Sequence, residues 1–334
     1  MKKLRVIQIG IGHDHGPDTL RSLLKNDDVF EVAALAIPEC EKERFEKHIT
    51  KFSDVPHMSV EEALSLSEID AAIIETEEEN LTNYAQMAAD KGINIHMDKP
   101  GGLELCDFEK LITTVKEKHL AFHTGYMYRY NHAIMDAVKK VKNGDLGKIY
   151  SVEAHMSCFH VPEKRQWLEK LPGGMMFFLG CHLIDLIFQI QGMPEEVIPL
   201  NTSTGIDAVT ANDLGMVVLK YKDGVSFAKT CATETGGYAR RQLVICGEKG
   251  TIEIKPLEVH NEGWAMFHSE TRELYTHELV NWASIGEKKK GDIHNRYNDM
   301  MRSFAQIVRG EKENPWSYEY ELELYKLVLK ACGK

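Results

Sequence analysis

Short apolar runs alternate with amphipathic stretches through the first third of the chain. The runs predict strands at Leu4–Ile9, Glu31–Ile37, Ala71–Glu75, Ile93–Met97 and Leu120–Thr124. Between them, apolar residues recur at helical spacing and predict helices at Pro17–Lys25, Leu81–Lys91 and Leu105–Lys118. Apolar strands joined by helices indicate a doubly wound parallel sheet that is covered on both faces.

The rest of the chain has a different pattern, in which strand-like runs follow one another with few helices. These runs are Lys148–Met156, Leu214–Tyr221, Ser226–Ala232, Arg241–Cys246 and Thr251–Lys255. Polar, glycine-containing turns between them indicate hairpins, and hence a largely antiparallel open sheet. Helices are predicted at His132–Lys142, Gly174–Gln191, Ile293–Arg309 and Tyr318–Ala331.

The change of pattern predicts an α/β protein with two domains. We place the parallel-sheet domain at residues 1–124 and an α+β domain at residues 125–334, with the C-terminal helix packing back on the first domain. We find no long linker, so we expect the domains to abut and a small molecule to bind in the cleft between them.

Composition narrows the range of partners and compartments. The 334 residues carry a net charge of −11 and contain no block of Lys and Arg, which argues against nucleic acid or an anionic membrane as a partner. The seven cysteines are scattered without a C-x-x-C pair, which indicates reduced thiols in the cytoplasm. The most apolar segment, Met175–Ile190, is too short and too polar to span a membrane.

The first predicted strand ends in Gly10-Ile11-Gly12, the opening of a dinucleotide-binding fingerprint. Glycine allows a tight turn there and lets a diphosphate approach backbone N–H groups at a helix start. The third glycine of the fingerprint is replaced by His15, and the second strand ends in Ile37-Pro38-Glu39, where Glu39 could bind ribose hydroxyls. An ordinary β–α turn is the alternative interpretation.

The same loop contains His13-Asp14-His15, two histidines and a carboxylate that together could suggest a metal site. Residues this close on a loop rarely converge on one ion, and no fourth ligand is evident in the sequence. Asp14 would also serve as a cap at the start of the following helix. We therefore predict no metal here.

Two further motifs carry groups suited to acid–base chemistry. Asp98-Lys99-Pro100 follows the fifth strand, so Lys99 would point into the ligand crevice of the sheet, unless it is an ordinary surface lysine in a turn. His182 and Asp185 are three residues apart and share a face of an apolar helix. Such a pair is either a satisfied core interaction or an acid–base pair.

The ordered set of motifs resembles the Gfo/Idh/MocA oxidoreductases along nearly the whole chain. It consists of Gly10-x-Gly12, Asp98-Lys99-Pro100, the segment Gly125–Asn131 and the run from Gly173-Gly174 to His182 and Asp185. The resemblance implies an N-terminal Rossmann domain and a C-terminal α/β domain used for substrate binding and oligomerisation. It also implies NAD or NADP, a sugar, polyol or related small molecule as substrate, and a homodimer or homotetramer.

The resemblance also implies roles for individual residues. Lys99, His182 and Asp185 would be catalytic, with Lys99 holding the reacting oxygen, His182 acting as general base and Asp185 contacting the substrate. The positions implied for cofactor binding are Gly10, Gly12, His13, His15, Ile37, Glu39, Thr76, Asp98 and Lys99. Candidates for substrate contact are Tyr128, Arg129, His155, Arg165, Trp167 and Tyr238. Because Glu39 would repel a 2′-phosphate, we favour NAD over NADP.

Two departures from the family pattern leave other functions open. Phe178 stands where an Asp commonly orients the catalytic histidine, and Glu77–Glu79 lie near the expected diphosphate, which they would repel unless they turn outward or meet cations. The main hypothesis is a hydride-transferring oxidoreductase. The alternatives are a redox-assisted sugar hydrolase or lyase with tightly held NAD, and a Rossmann sensor or partner protein that has lost catalysis.

Overall fold

The structure is a computed structural model that describes residues 2–261 and 264–334. The chain forms two compact units. The first contains the residues up to Tyr126 together with Tyr297–Tyr325, and the second contains Met127–Arg296 and Lys326–Lys334. Among the residues described, none of the helices combines the length and the apolar character that a membrane crossing requires.

The first unit contains a six-stranded, all-parallel sheet in the order β3-β2-β1-β4-β5-β6. Its strands are β1 (Leu4–Ile9), β2 (Phe30–Ala36), β3 (His57–Met58), β4 (Ala71–Ile74), β5 (Asn94–Met97) and β6 (Phe122–Thr124). The strand order reverses between β1 and β4, and the carboxyl ends of strands at such a point commonly bind ligands.

Helices accompany this sheet, and the apolar residues of the longer ones fall on one side. They are α1 (Gly16–Lys25), α2 (Glu39–Lys42), α3 (Glu46–Ile49), α4 (Val60–Leu64), α5 (Leu81–Asp90) and α6 (Leu105–Glu117). In α1, for example, Leu20 and Leu23 are fully buried whereas Leu24 is exposed. Strand β4 consists of buried apolar residues alone, as is typical of a parallel sheet covered on both faces, whereas β1 also contains Arg5 and Gln8.

The second unit contains an eight-stranded sheet in the order β16-β15-β12-β11-β7-β10-β9-β8, in which only β7 and β10 pair in parallel. A three-stranded antiparallel sheet, β13-β14-β17, lies in the same unit. The strands are β7 (Ile149–His155), β8 (Glu196–Pro199), β9 (Leu214–Tyr221), β10 (Gly224–Cys231), β11 (Gln242–Gly247), β12 (Gly250–Ile254), β13 (Glu258–Asn261), β14 (Trp264–Phe267), β15 (Glu270–Tyr275), β16 (Glu287–Lys290) and β17 (His294–Asn295).

The helices of the second unit are α7 (His132–Asn143), α8 (Pro162–Trp167) and α9 (Cys181–Gln191). A π-helical turn, Met176–Gly180, leads directly into α9, which packs against β7 and β10. The chain then continues into α10 (Asn298–Val308) and α11 (Tyr318–Ala331). The predicted α/β class, a parallel sheet followed by a largely antiparallel one, is confirmed.

Two predicted helices begin too early. The helix expected at Ile293–Arg309 starts only at Asn298, because His294–Asn295 instead forms the short strand β17. The helix expected at Gly174–Gln191 opens with the π-helical turn, and its α-helical part starts at Cys181. Widened turns of this kind occur frequently at functional sites, so the second difference bears on His182.

Candidate functional site

The loop after β1 is a tight turn that glycine alone fits. Gly10 has φ +81°, and a Cβ atom there would lie 2.4 Å from Thr76 Cγ2. The following N–H groups, those of Ile11 and Gly12, point at a single acceptor, the carboxylate of Glu41. The turn thus binds an anion, as a dinucleotide fingerprint does, but in this structure the anion belongs to the chain itself.

Glu41 lies on α2, just after β2, and its side chain is completely buried. Its Oε2 atom accepts hydrogen bonds from Ile11 N at 2.8 Å and Gly12 N at 3.0 Å, and Oε1 accepts one from Glu77 N at 3.0 Å. Burial raises the pKa of Glu41 to about 7, even though these hydrogen bonds favour the charged form. A diphosphate therefore reaches the two N–H groups only after Glu41 has withdrawn.

The three glutamates after β4 do not behave alike. Glu77 is buried and forms an ion pair with Arg44 at 2.5 Å. Glu78 is also buried, with its Oε1 atom 3.5 Å from His13 Nε2, while Glu79 is exposed. The expected repulsion of a diphosphate is thus reduced, because one glutamate has a cation, one faces a histidine and one turns outward.

Asp98, at the end of β5, joins the two histidines of the β1 loop. Its Oδ2 atom lies 3.0 Å from His13 Nδ1 and 3.0 Å from His15 Nδ1. Burial alone would raise the pKa of Asp98, but the neighbouring histidines hold it well below its usual range. Burial also lowers the pKa of His15 to about 4. Asp98 lies 85 positions after His13 and 83 after His15, yet the three side chains form one buried polar cluster. It is called the His13–His15–Asp98 cluster below.

Lys99 follows directly and is only 2% exposed, so the alternative of an ordinary surface lysine is wrong. Its backbone N–H donates to Asp98 Oδ1 at 2.6 Å. Its positive charge opposes protonation of His15 and acts on Glu75, a fully buried carboxyl after β4. Burial, reinforced by the charge of Asp98, raises the pKa of Glu75 well above its usual value. Lys99 therefore lies among buried acids at the carboxyl edge of the sheet.

The predicted ribose-binding residues follow β2. Ile37 is buried, whereas the Glu39 carboxylate is 85% exposed and contacts Lys42 at 2.5 Å. Glu39 is thus accessible to a ligand at the end of β2, where an acid commonly binds ribose hydroxyls.

In the second unit, His182 lies in the first turn of α9, directly after the π-helical turn. The backbone of Gly174 makes this entry possible, because it has φ +56° and a Cβ atom there would lie 2.2 Å from the Asn212 carbonyl oxygen. His182 is 1% exposed, and its ring meets the Tyr128 ring edge-on at a centroid distance of 5.0 Å. The helix start therefore places His182 beside an aromatic ring.

Asp185 and Arg129, predicted respectively as catalytic and substrate-binding, form a buried ion pair. Arg129 donates from Nη2 to Asp185 Oδ1 at 2.8 Å, and from Nε to the two carboxylate oxygens at 3.0 and 3.1 Å. Gln189 Nε2 donates to Asp185 Oδ2 at 2.9 Å. This bidentate pairing ties the turn that carries Tyr128 and Arg129 to the helix that carries His182.

Tyr128 belongs to a second buried network. Its hydroxyl donates to Glu258, accepts from Arg241 Nη1 at 3.1 Å, and Arg296 lies 3.3 Å from the same glutamate. Burial would raise the pKa of Glu258, but Arg296 and Arg241 hold it below the usual value, so the carboxylate stays charged. Tyr238 stacks on the Arg241 guanidinium at 4.1 Å.

The remaining candidates for substrate contact, which are Arg165, Trp167 and His155, each contact other side chains of the second unit. Arg165 pairs with Asp213 at 3.1 Å and with Asp207. Trp167 packs edge-on against Phe178, with the ring centroids 5.6 Å apart. Phe178 occupies the position at which the family commonly has an Asp. His155 Nε2 lies 3.1 Å from Glu234, and burial lowers the pKa of this histidine. Phe178 therefore packs against an aromatic ring at this position.

Two family models match the chain along most of its length. Residues 4–126 match the model described as "Oxidoreductase family, NAD-binding Rossmann fold", and residues 134–253 match "GFO/IDH/MocA C-terminal domain". The chain belongs to the Gfo/Idh/MocA oxidoreductases. The predicted resemblance and the prediction of an enzyme of the dehydrogenase type are thereby confirmed.

This Gfo/Idh/MocA member is similar in sequence or structure to several known proteins, all at low sequence identity. The uncharacterized oxidoreductase YhhX of Escherichia coli is 27% identical over 252 residues, which is 73% of this chain and 69% of YhhX. Myo-inositol 2-dehydrogenase of Thermotoga maritima is 23% identical over 202 residues, covering 59% of this chain and 58% of that protein. The structure of GenD2 from gentamicin A biosynthesis, in complex with NAD, has a TM-score of 0.76 at 16% identity, covering 99% of this chain and 93% of GenD2.

The family binds NAD, and the turn after β1 of this Gfo/Idh/MocA member fits the diphosphate of such a cofactor. Two backbone N–H groups there already hold an anion, and a Cβ atom at Gly12 would meet Glu41 Oε1 at 2.5 Å. The donor set is therefore suitable, and Glu41 is the group that the cofactor must displace.

Several buried polar residues of this family member were not predicted from the sequence. They are Glu41, Glu75, His96, His123 and Glu258. His96 and His123 lie opposite each other on β5 and β6, with their Nδ1 atoms 2.8 Å apart. Glu75 could have been found, because it follows an apolar strand in the same way that Asp98 does. The others carry no local signal in the sequence.

Proposed function

We propose that this protein transfers a hydride between NAD and a secondary hydroxyl, or the matching carbonyl, of a sugar or polyol. The observation that carries the proposal is the anion-binding pair of N–H groups at Ile11 and Gly12, at the point where the strand order reverses. Bound nicotinamide supplies or accepts the hydride. The Thermotoga relative, named as a dehydrogenase of myo-inositol, supports a polyol-like substrate.

The proposed roles follow from the chemistry of each side chain. The Lys99 ammonium holds the reacting oxygen and stabilises its developing negative charge, which a buried cation does more strongly than an exposed one. His182 takes the hydroxyl proton as general base. Asp185 positions its helix through Arg129, since the guanidinium already binds its carboxylate at two points.

We infer NAD as the preferred cofactor, because the Glu39 carboxylate is accessible after β2 and would repel a 2′-phosphate. Titration of cofactor-stripped protein should give a Kd for NADH about tenfold below that for NADPH. Glu39→Gln should narrow this difference, whereas Glu79→Gln, at another exposed glutamate, should leave it unchanged. Equal affinities would contradict the preference, and the failure of both cofactors to bind would favour a non-catalytic sensor.

Glu41→Gln should strengthen NADH binding about tenfold at a pH above 7. The charge-assisted hydrogen bonds of the Glu41 carboxylate, worth about 1.5–3 kcal/mol, then no longer compete with the cofactor diphosphate for the N–H groups of the turn. In the wild type, affinity should rise as the pH falls through about 7, since protonation removes the competing charge. The neighbouring Glu77 is paired with Arg44. Isothermal titration at several pH values measures both effects, and an unchanged pH dependence in the variant would contradict them.

A further inference from the structure

The His13–His15–Asp98 cluster lies among more carboxyl groups than a buried site normally holds. Asp98 is 1% exposed, and Glu75 and Glu78 are 0% and 2% exposed. Burying ionised carboxylates is costly unless cations or hydrogen bonds compensate them. Asp98 brings His13 and His15 together from another strand, an arrangement that was not predicted from the sequence.

Several buried atoms around this cluster have no hydrogen-bond partner. They include His13 Nε2 and Glu78 Oε1. Buried polar atoms in native proteins are nearly always satisfied, and exceptions commonly mark a missing water or ion. Glu78 faces His13, and Glu75 interacts with Asp98, so both acids border the cluster.

We propose that His13, His15 and Asp98 bind a divalent transition-metal ion of the zinc type. The ligands are His13 Nδ1, His15 Nδ1 and Asp98 Oδ2. Two imidazoles with carboxylates suit Zn²⁺, Co²⁺ or Fe²⁺ and do not suit Mg²⁺ or Ca²⁺, which prefer oxygen alone.

The distances agree with such an ion. Zinc ligands lie at about 2.0–2.2 Å, so neighbouring ligand atoms of a tetrahedral site are about 3.3 Å apart. Asp98 Oδ2 lies 3.0 Å from each histidine nitrogen, and all three ligand atoms lie within 4.8 Å of one another. A small movement of the His15 ring toward His13 would therefore complete one face of the coordination sphere.

The surroundings of His13 match those of a metal ligand. A ligating histidine usually gives its second ring nitrogen to a carboxylate, which fixes the orientation of the ring. His13 Nε2 lies 3.5 Å from Glu78 Oε1, on the side of the ring opposite the proposed ion. Glu78 is thus placed to orient His13 when the ion is bound, which gives the glutamate-rich loop a role beside the cofactor turn.

A second group with the same chemistry provides an internal control. His132, Asp292 and His294 also bring ligand atoms within 4.8 Å of one another. The side chains of His132 and Asp292 are 47% and 63% exposed, so water can satisfy these two groups without an ion. Exposed polar groups need no such compensation, and we therefore assign the metal to the buried cluster alone.

The test uses the full chain, stripped with a chelator and then titrated with Co²⁺. We expect one ion per chain by elemental analysis, visible Co²⁺ absorption bands, and a higher Tm in the presence of the metal. His15→Gln and Asp98→Asn should each weaken Co²⁺ binding at least about tenfold, and Glu78→Gln should weaken it about 10–100-fold. The double variant His132→Ala/His294→Ala should bind as the wild type does.

Circular dichroism of the metal-free variants separates lost binding from lost folding, and the wild-type titration needs no variant. Wild-type protein that takes up no Co²⁺ would overturn the proposal, and so would uptake that disappears only in the His132/His294 variant. NADH titration of the metal-free protein tests the proposed function separately, because it reports on the glycine turn.

Discussion

His182→Ala is expected to lower kcat about 10²–10⁴-fold, the usual contribution of a positioned general acid or base. The side chain is 1% exposed at the first turn of α9, and the adjacent Tyr128 ring limits where its own ring can lie. Loss of the imidazole leaves the substrate hydroxyl without an acceptor for its proton. The measurement is the rate of nicotinamide oxidation or reduction with a sugar or polyol that the wild type turns over.

A purely structural role for His182 makes different predictions. His182→Gln keeps most of the volume and a polar tip, so it should fold with a Tm close to that of the wild type and still lose kcat. Added imidazole should restore part of the rate of the alanine variant, which a packing defect does not allow. Normal turnover in either variant would remove His182 from the mechanism.

Asp185→Asn should lower the free energy of unfolding by about 3–5 kcal/mol, because it leaves the Arg129 charge buried without a counter-ion. The side chains of both partners are almost completely buried, at 0% for Arg129 and 1% for Asp185. Solvent therefore cannot replace the lost carboxylate. Urea unfolding of wild type and variant measures the difference.

The matched control is Asp223→Asn, which breaks an exposed ion pair with Lys148 and should cost less than about 1 kcal/mol. The double variant Arg129→Met/Asp185→Leu should recover much of the stability lost in Asp185→Asn, since an apolar pair of similar volume needs no counter-charge. A loss below about 1 kcal/mol in Asp185→Asn would mean that water reaches the guanidinium.

The parallel sheet could be predicted because its strands are apolar over several consecutive residues and the helices between them are amphipathic. The two-residue strand β3 could not, since two residues carry no periodicity. The π-helical turn before His182 also has no signature, because its apolar residues continue the helical spacing of α9. The strand β17 is equally short, and the sequence around it favoured a helix.

The candidate site could likewise be predicted from the sequence only in part. Gly10, Gly12 and Lys99 could be predicted, because the position of each follows from the end of a strand. The contacts that give these residues their environment come from distant segments and could not. The sequence drew attention to Glu77–Glu79 as a threat to the diphosphate, yet the carboxylate on the turn is that of Glu41, 29 positions beyond Gly12. Only the folded loop brings it there.

The first unit is completed by a segment near the end of the chain, and this affects how the protein is made. Arg302 of α10 donates to Asn26 at 2.7 Å, Phe304 packs on His96, and Asn314 donates to the Phe122 carbonyl oxygen at 2.8 Å. During synthesis these contacts form only after residues 127–296 of the second unit have been made. Until then the nascent sheet exposes apolar surface, so premature termination within the second unit should yield an insoluble fragment.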